Sequence, residues 1–308
     1  MTALAVRGLR KRYDEIDAVD GLDLTVGRGE LYGFLGPNGA GKTTTIRMAL
    51  GLIMPTAGEV EVLGERVARG SPPPLERVGA LVEEPAFWRF LSGRRNLEYM
   101  ARAGGSRADT RARLGRVDDV LARVGLTDAA DKRVKAYSQG MRQRLGIALA
   151  LLGEPELLLL DEPTNGLDPS GMREVRELLR GLADAGTTVF VSSHLLAEVE
   201  AVCDRVGVMA RGRLVAEGPP GTLRGAATRH RLEVDDPTRA LEVVAALPGV
   251  TAEAAPGGVL VRLANDGDPA DVNAALVAAG IRVRALVPER DSLEDAFFSL
   301  VEGADAPR

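Results

Sequence analysis

Gly36-Pro37-Asn38-Gly39-Ala40-Gly41-Lys42-Thr43 has the form G-x-x-x-x-G-K-[ST], with Thr44 next in line. A short apolar run, Glu30 to Leu35, precedes it, and a helical pattern from Lys42 to Leu52 follows. Strand, glycine-rich turn and helix in that order form a phosphate-binding loop. The glycines let the backbone bend until successive N–H groups point inward at phosphate oxygens. Lys42 is long enough to reach the β- and γ-phosphates of a nucleotide, and the Thr43 hydroxyl suits Mg²⁺.

Further along the chain, Leu157-Leu158-Leu159-Leu160 reads as a buried strand that ends in Asp161-Glu162. A carboxylate at the C-terminal end of a parallel strand lies beside the phosphate loop in this type of fold. Asp161 is therefore assigned to Mg²⁺, directly or through water. Glu162, one residue on, points elsewhere and is placed to polarise an attacking water. Thr188 to Val191 is a further buried strand, with helical patterns before and after it. Arg94 to Val124 reads as helical, and a second helix runs from about Gly140 to Leu152. Arg205 to Ala216 reads as a hairpin turning at Arg211-Gly212. Buried strands alternating with helices predict a mostly parallel α/β core.

The 308 residues suggest about two domains at roughly 150 residues each. Composition shifts at Glu217-Gly218-Pro219-Pro220-Gly221, which divides the chain into residues 1–220 and 221–308. The second part reads strand, helix, strand, strand, helix, strand, and then a closing helix from Ser292 to Val301. That order suggests a small α+β domain of split-βαβ type, and it carries no chemical motif. A net charge of −5 argues against coating nucleic acid by bulk charge. A single cysteine, Cys203, excludes an intrachain disulfide and reads as a small buried apolar residue. The N-terminus lacks a signal peptide's apolar core, and no stretch reaches the roughly 18 apolar residues of a spanning helix. Work at a membrane therefore requires a partner chain.

Taken together, these motifs resemble the nucleotide-binding subunit of an ATP-binding-cassette (ABC) transporter, over residues 1 to about 220. Tyr13 sits where that family places the aromatic that stacks on adenine, and Val19 where an apolar residue packs nearby. Tyr137-Ser138-Gln139-Gly140-Met141 occupies the place of the family signature. Asp161 and Glu162 match the magnesium-associated aspartate and the catalytic glutamate. Asn165-Gly166-Leu167-Asp168 matches the loop that crosses to a second monomer, and His194 matches the switch histidine. The closing segment Ser292-Leu293-Glu294-Asp295-Ala296-Phe297-Phe298 resembles a branch found with drug, antibiotic and bacteriocin exporters.

The resemblance implies ATP and Mg²⁺ as ligands and catalysis by Glu162, His194 and Lys42. It implies that Ser138, Gly140 and Met141 face ATP held by a second copy of the chain, and that a separate integral-membrane permease is driven from the cytoplasmic face. A helix N-terminus with a serine hydroxyl is an anion site on its own chemistry, and the helix is read as starting near Met141. The expected output is export of a small molecule, drug or peptide antibiotic, with a soluble ATPase of the same type acting on a non-membrane partner as the alternative. Two positions depart from the pattern. Glu83 stands where the family has a glutamine, and as a carboxylate it is counted among the Mg²⁺ oxygens. Gln139 and Met141 replace the usual glycine and glutamine of the signature. The aromatic segment Phe87-Trp88-Arg89-Phe90-Leu91 is a candidate partner surface.

Overall fold

The computed structural model describes residues 1–82, 86–103, 106–223, 229–255, 258–264 and 267–289. The chain divides into two compact units, one of Met1–Pro220 and one beginning at Gly221. Glu83 and the segment Ser292 to Val301 lie outside the described residues.

The first unit opens with two long paired strands, β1 (Thr2–Tyr13) and β2 (Ile16–Gly27). β3 (Leu31–Leu35), α1 (Lys42–Ala49), β4 (Ala57–Val62), β5 (Glu65–Arg66) and β6 (Val78–Leu81) follow. The segment read as one helical stretch is three helices, α2 (Gly93–Arg102), α3 (Arg107–Gly115) and α4 (Val117–Arg123). Serine caps explain two of the starts: Ser92 accepts from Arg95 N, and Ser106 forms a capping box with Asp109. Then come α5 (Gln139–Leu151), β7 (Leu157–Asp161), α6 (Pro169–Asp184), β8 (Thr188–Ser193), α7 (Leu196–Glu200), the hairpin β9 (Arg205–Ala210) and β10 (Arg213–Gly218), and α8 (Pro220–Leu223).

These strands form two sheets. One is antiparallel, in the order β2-β1-β4-β5. The other runs β10-β9-β3-β8-β7-β6, parallel from β9 to β6, with β10 as an antiparallel edge. Every residue of β3, β7 and β8 is buried, as expected for parallel strands covered on both faces. One apolar cluster joins the sheets through α1: Leu4, Val26 and Val62 on one side, Ile46 and Met48 from the helix, Phe34, Leu159 and Phe190 on the other. Tyr32 stacks on Phe190 with ring centroids 5.6 Å apart.

Register is what builds the site. Leu35 pairs with Ser193, and Asp161 pairs with Ser192. The loops leaving β3, β7 and β8 therefore emerge side by side at one edge of the sheet. At the opposite end of β7, Glu156 accepts bonds from Arg77 Nε (2.6 Å) and Arg28 (2.5 Å) and ties the other rim together.

The second unit contains β11 (Arg229–Val234), α9 (Pro237–Ala245), β12 (Val250–Ala255), β13 (Gly258–Leu263), α10 (Pro269–Ala278) and β14 (Val283–Glu289). Its sheet is antiparallel, in the order β12-β13-β11-β14, which is the split-βαβ arrangement. Asp236 and Asp268 cap the two helices, each with proline at the helix start. His230, Leu232 and Val234 alternate inward along β11 and join a core of Val244, Val259, Val261 and Leu276. Among the described residues of the whole chain, no helix is long and apolar enough to cross a membrane.

Candidate nucleotide-binding site

The loop between β3 and α1 is held by backbone on three sides. Gly36 N donates to Ser193 O (3.3 Å), and Gly212 N, from the β9–β10 turn, donates to Ala40 O (3.0 Å). A Cβ on Gly41 would lie 2.3 Å from Ala18 O, and φ there is +105°, so only glycine fits. Val19 is fully buried directly beneath that glycine. Asn38 and Gly39 are exposed at the tip, and Pro37, Thr43 and Thr44 are partly buried.

Lys42, only 5% exposed, donates to Gly36 O at 2.6 Å and Pro37 O at 3.3 Å, and its Nζ lies 3.3 Å from Glu162 Oε1. Thr43 Oγ1 donates to Asp161 Oδ2 at 2.7 Å. Asp161 Oδ1 accepts from Ser192 Oγ at 2.5 Å, and the same Oγ accepts from Glu162 N at 3.0 Å. Glu162 has a left-handed backbone, φ +47°, which costs a non-glycine residue about 1–3 kcal/mol. It is held there by Ser192 and by Gln143 Nε2, which donates to its carbonyl at 3.3 Å. The strained turn sends the Glu162 side chain away from Asp161, between Lys42 and His194, whose Nδ1 is 2.8 Å from Glu162 Oε2. His194 itself stays partly exposed.

Six of the residues singled out in the sequence are thus brought together: Gly36, Lys42, Thr43, Asp161, Glu162 and His194. The signature forms a second cluster. α5 begins at Gln139, not near Met141; Ser138 is its N-cap and accepts from Met141 N at 3.2 Å. Ser138 is exposed and Gly140 lies in the first turn, where a Cβ would come 2.9 Å from Leu167. Gln139 packs on Gly166 in the loop that ends at Asp168, which caps α6 by accepting from Gly171 N. Gln143 on α5 then links this cluster to the backbone of Glu162. Tyr13 stands at the end of β1, 44% exposed, with Lys11 Nζ 4.9 Å above its ring. Trp88 and Phe90 are likewise exposed, with Trp88 tilted against Tyr99 at 5.7 Å between ring centroids.

Ser192 and Gln143 escaped the sequence reading. Ser192 had a signal, a hydroxyl at a strand end just before His194. Gln143 had none, because its role depends on where α5 passes β7.

The ABC transporter family model matches residues 19–165. The bacitracin transport ATP-binding protein BcrA of Bacillus licheniformis is 40% identical over 98% of each chain. The daunorubicin resistance ATP-binding protein DrrA3 of Streptomyces coeruleorubidus is 44% identical over 76% of this chain and 73% of that one. Among solved structures, the cbiO1 subunit of Clostridium perfringens superposes with a TM-score of 0.64 at 30% identity, over 72% of this chain and 90% of that one. The dimeric bacterial ABC transporter cassette MJ0796 gives 0.62 at 25% identity, over 72% and 100%. With its phosphate loop, strand-end carboxylates and signature helix in the same order, this chain belongs to the ABC transporter family as an ATP-binding ATPase subunit.

Proposed function

We propose that two copies of this chain close around two ATP molecules and drive a separate membrane permease from its cytoplasmic face, exporting a drug, another small molecule or a peptide antibiotic. The observation that carries the reading is Glu162, turned out of its strand between Lys42 and His194 and next to the Thr43–Asp161 pair. Export is supported by similarity to proteins named for bacitracin transport and daunorubicin resistance. Pairing is supported by similarity to a cassette solved as a dimer.

ATP is the substrate. The backbone N–H groups of Gly39 and of Gly41 to Thr44 cradle its phosphates, and Lys42 exchanges its carbonyl partners for phosphate oxygens. Tyr13 offers its exposed face to the adenine, with Val19 packed nearby. Thr43 and Asp161 form an oxygen donor set of one hydroxyl and one carboxylate, the kind that suits Mg²⁺ when water and substrate phosphate complete its shell. They would hold the ion, with Glu83 adding a carboxylate, and when bound it neutralises charge on the transferred phosphoryl group. Glu162 accepts a proton from the attacking water and aligns it. His194 holds Glu162 through Nδ1 and turns its other edge to the γ-phosphate. Ser138, Gly140 and Met141 meet the γ-phosphate held by the opposite copy, and Asp168 fixes the loop at that interface.

Phosphate release by the purified chain with Mg·ATP tests the enzymatic part. A pull-down from crosslinked native membranes tests the rest. Co-purification of a polytopic membrane protein is the expected result; recovery only with ribosomes, DNA or soluble proteins overturns transport and leaves the ATPase.

A further inference from the structure

Glu198 is a buried carboxylate that the chemistry above does not use. It lies in α7 at 6% exposure. Its Oε2 accepts two hydrogen bonds, from Thr164 Oγ1 at 2.6 Å and from Ser193 Oγ at 2.9 Å. Its Oε1 is buried with no hydrogen-bond partner. Burying a carboxylate is costly, and two hydroxyl donors offset only part of that cost. The two donors come from different places. Thr164, itself buried, belongs to the loop that leaves β7 after Glu162 and ends at Asp168. Ser193 immediately precedes His194, and its hydroxyl accepts from Leu195 N at 3.0 Å, so it braces the backbone on both sides of the histidine. A residue that only stitched the entry of α7 would need Ser193 alone; the bond to Thr164 reaches across 34 positions.

We infer that Glu198 is a positioning residue that couples the Glu162–Asp168 loop to the turn carrying His194. Movement of one loop is passed to the other through a single carboxylate oxygen. The inference deepens the proposed function, since it rests on Glu162 and His194 acting in ATP hydrolysis.

The test uses the full chain. In Mg·ATP phosphate release, Glu198→Ala lowers kcat about tenfold with KM within about twofold, because nucleotide binding is untouched while the base and the histidine lose alignment. Thr164→Ala, a smaller truncation on the far side of the same bond, lowers kcat at least about threefold. Glu198→Gln keeps an oxygen for both hydroxyls and leaves its amide buried and unpaired, so it lowers the melting temperature yet recovers kcat to within about threefold of the parent. The double variant Glu198→Ala with His194→Ala is slower than His194→Ala alone by less than the roughly tenfold that Glu198→Ala costs the parent, and a full additional tenfold overturns the coupling. Wild-type kcat in both Glu198→Ala and Thr164→Ala overturns the coupling. So does a Glu198→Gln variant whose kcat falls as far as that of Glu198→Ala. If Glu198→Ala does not fold, Thr164→Ala and Glu198→Gln decide in the same way.

Hydrogen exchange separates this inference from the reading beneath it. Thr164→Ala should speed amide exchange in the peptide spanning residues 193–197, although the change is in the other loop. Unchanged exchange there overturns the coupling even in a chain that hydrolyses ATP. A parent chain that hydrolyses no ATP overturns the proposed function, and the exchange result then still decides the coupling.

Discussion

At the carboxyl ends of β3, β7 and β8 the first unit buries Lys42, Asp161, Ser192, Ser193 and Glu198 within one small region. The core of the second unit is Leu232, Val234, Val244, Val259, Val261 and Leu276, with His230 as the buried polar residue among those described there. The sheets account for the difference. Parallel strands end together, so their loops converge and their last side chains meet. In the antiparallel sheet successive strand ends alternate between the two rims, and the face toward α9 and α10 collects apolar side chains. Buried polarity is concentrated where chemistry is proposed and, His230 apart, apolar burial fills the other unit.

The sharpest way to break this contrast is Glu162→Gln. It should reduce kcat by about 10²- to 10⁴-fold while ATP binding is retained, as measured by phosphate release and equilibrium nucleotide binding. A near-normal rate would remove the base from the first unit and with it half of the comparison. Gly41→Ala comes next. The added methyl lies 2.3 Å from Ala18 O in a left-handed backbone, so nucleotide affinity should fall at least about tenfold by titration. Unchanged affinity would mean that the loop tolerates a shift its surroundings argue against.

Leu232→Ala tests the other side. Leu232 is fully buried, and its truncation should destabilise the second unit by about 2–5 kcal/mol in denaturant unfolding, with kcat within about twofold. A large loss of activity there would show that the second unit takes part in catalysis.

The smallest effects are those of pH. Burial pushes His230 below its ordinary value near 6.5. Its neutral form belongs to the folded state, so the stabilisation is present above about pH 6.5 and is lost as pH falls through the lowered value. Hydrogen bonds from Arg77 and then Arg28 bring Glu156 from about 4.5 down to about 2. Its contribution is present above pH 4.5 and is lost only as pH falls through about 2. The carboxylate is 40% exposed, so that contribution is under about 1 kcal/mol. Calorimetry between pH 7.5 and 5 should therefore show the second unit's transition falling first. His230→Leu should flatten that fall, and a fall that persists unchanged would have another source.

Much of this molecule is legible in the residues themselves. Gly36 to Thr43, the apolar run before Asp161, the turn at Arg211-Gly212 and the composition shift at Glu217 to Gly221 are local signals. Each follows from backbone freedom, burial period or turn chemistry over a few neighbouring positions. So does the order of elements in the second unit. The three-helix break between Gly93 and Arg123 escaped the sequence reading although its cap signals, Ser92 and the Ser106–Asp109 box, are local too.

The sequence by itself determined which chemistries are present: a phosphate loop, two strand-end carboxylates, a histidine after a buried strand, and a serine at a helix start. Tertiary structure alone decided how they meet. The parallel register sets Ser192 against both Asp161 and the backbone of Glu162. The left-handed turn at Glu162 sends adjacent carboxylates to different partners. Glu198 reaches Thr164 and Ser193 at once. Apart from the Glu198–Ser193 bond, these contacts join residues tens of positions apart, and a hydrogen bond exists only where folding has brought donor and acceptor to within about 3 Å.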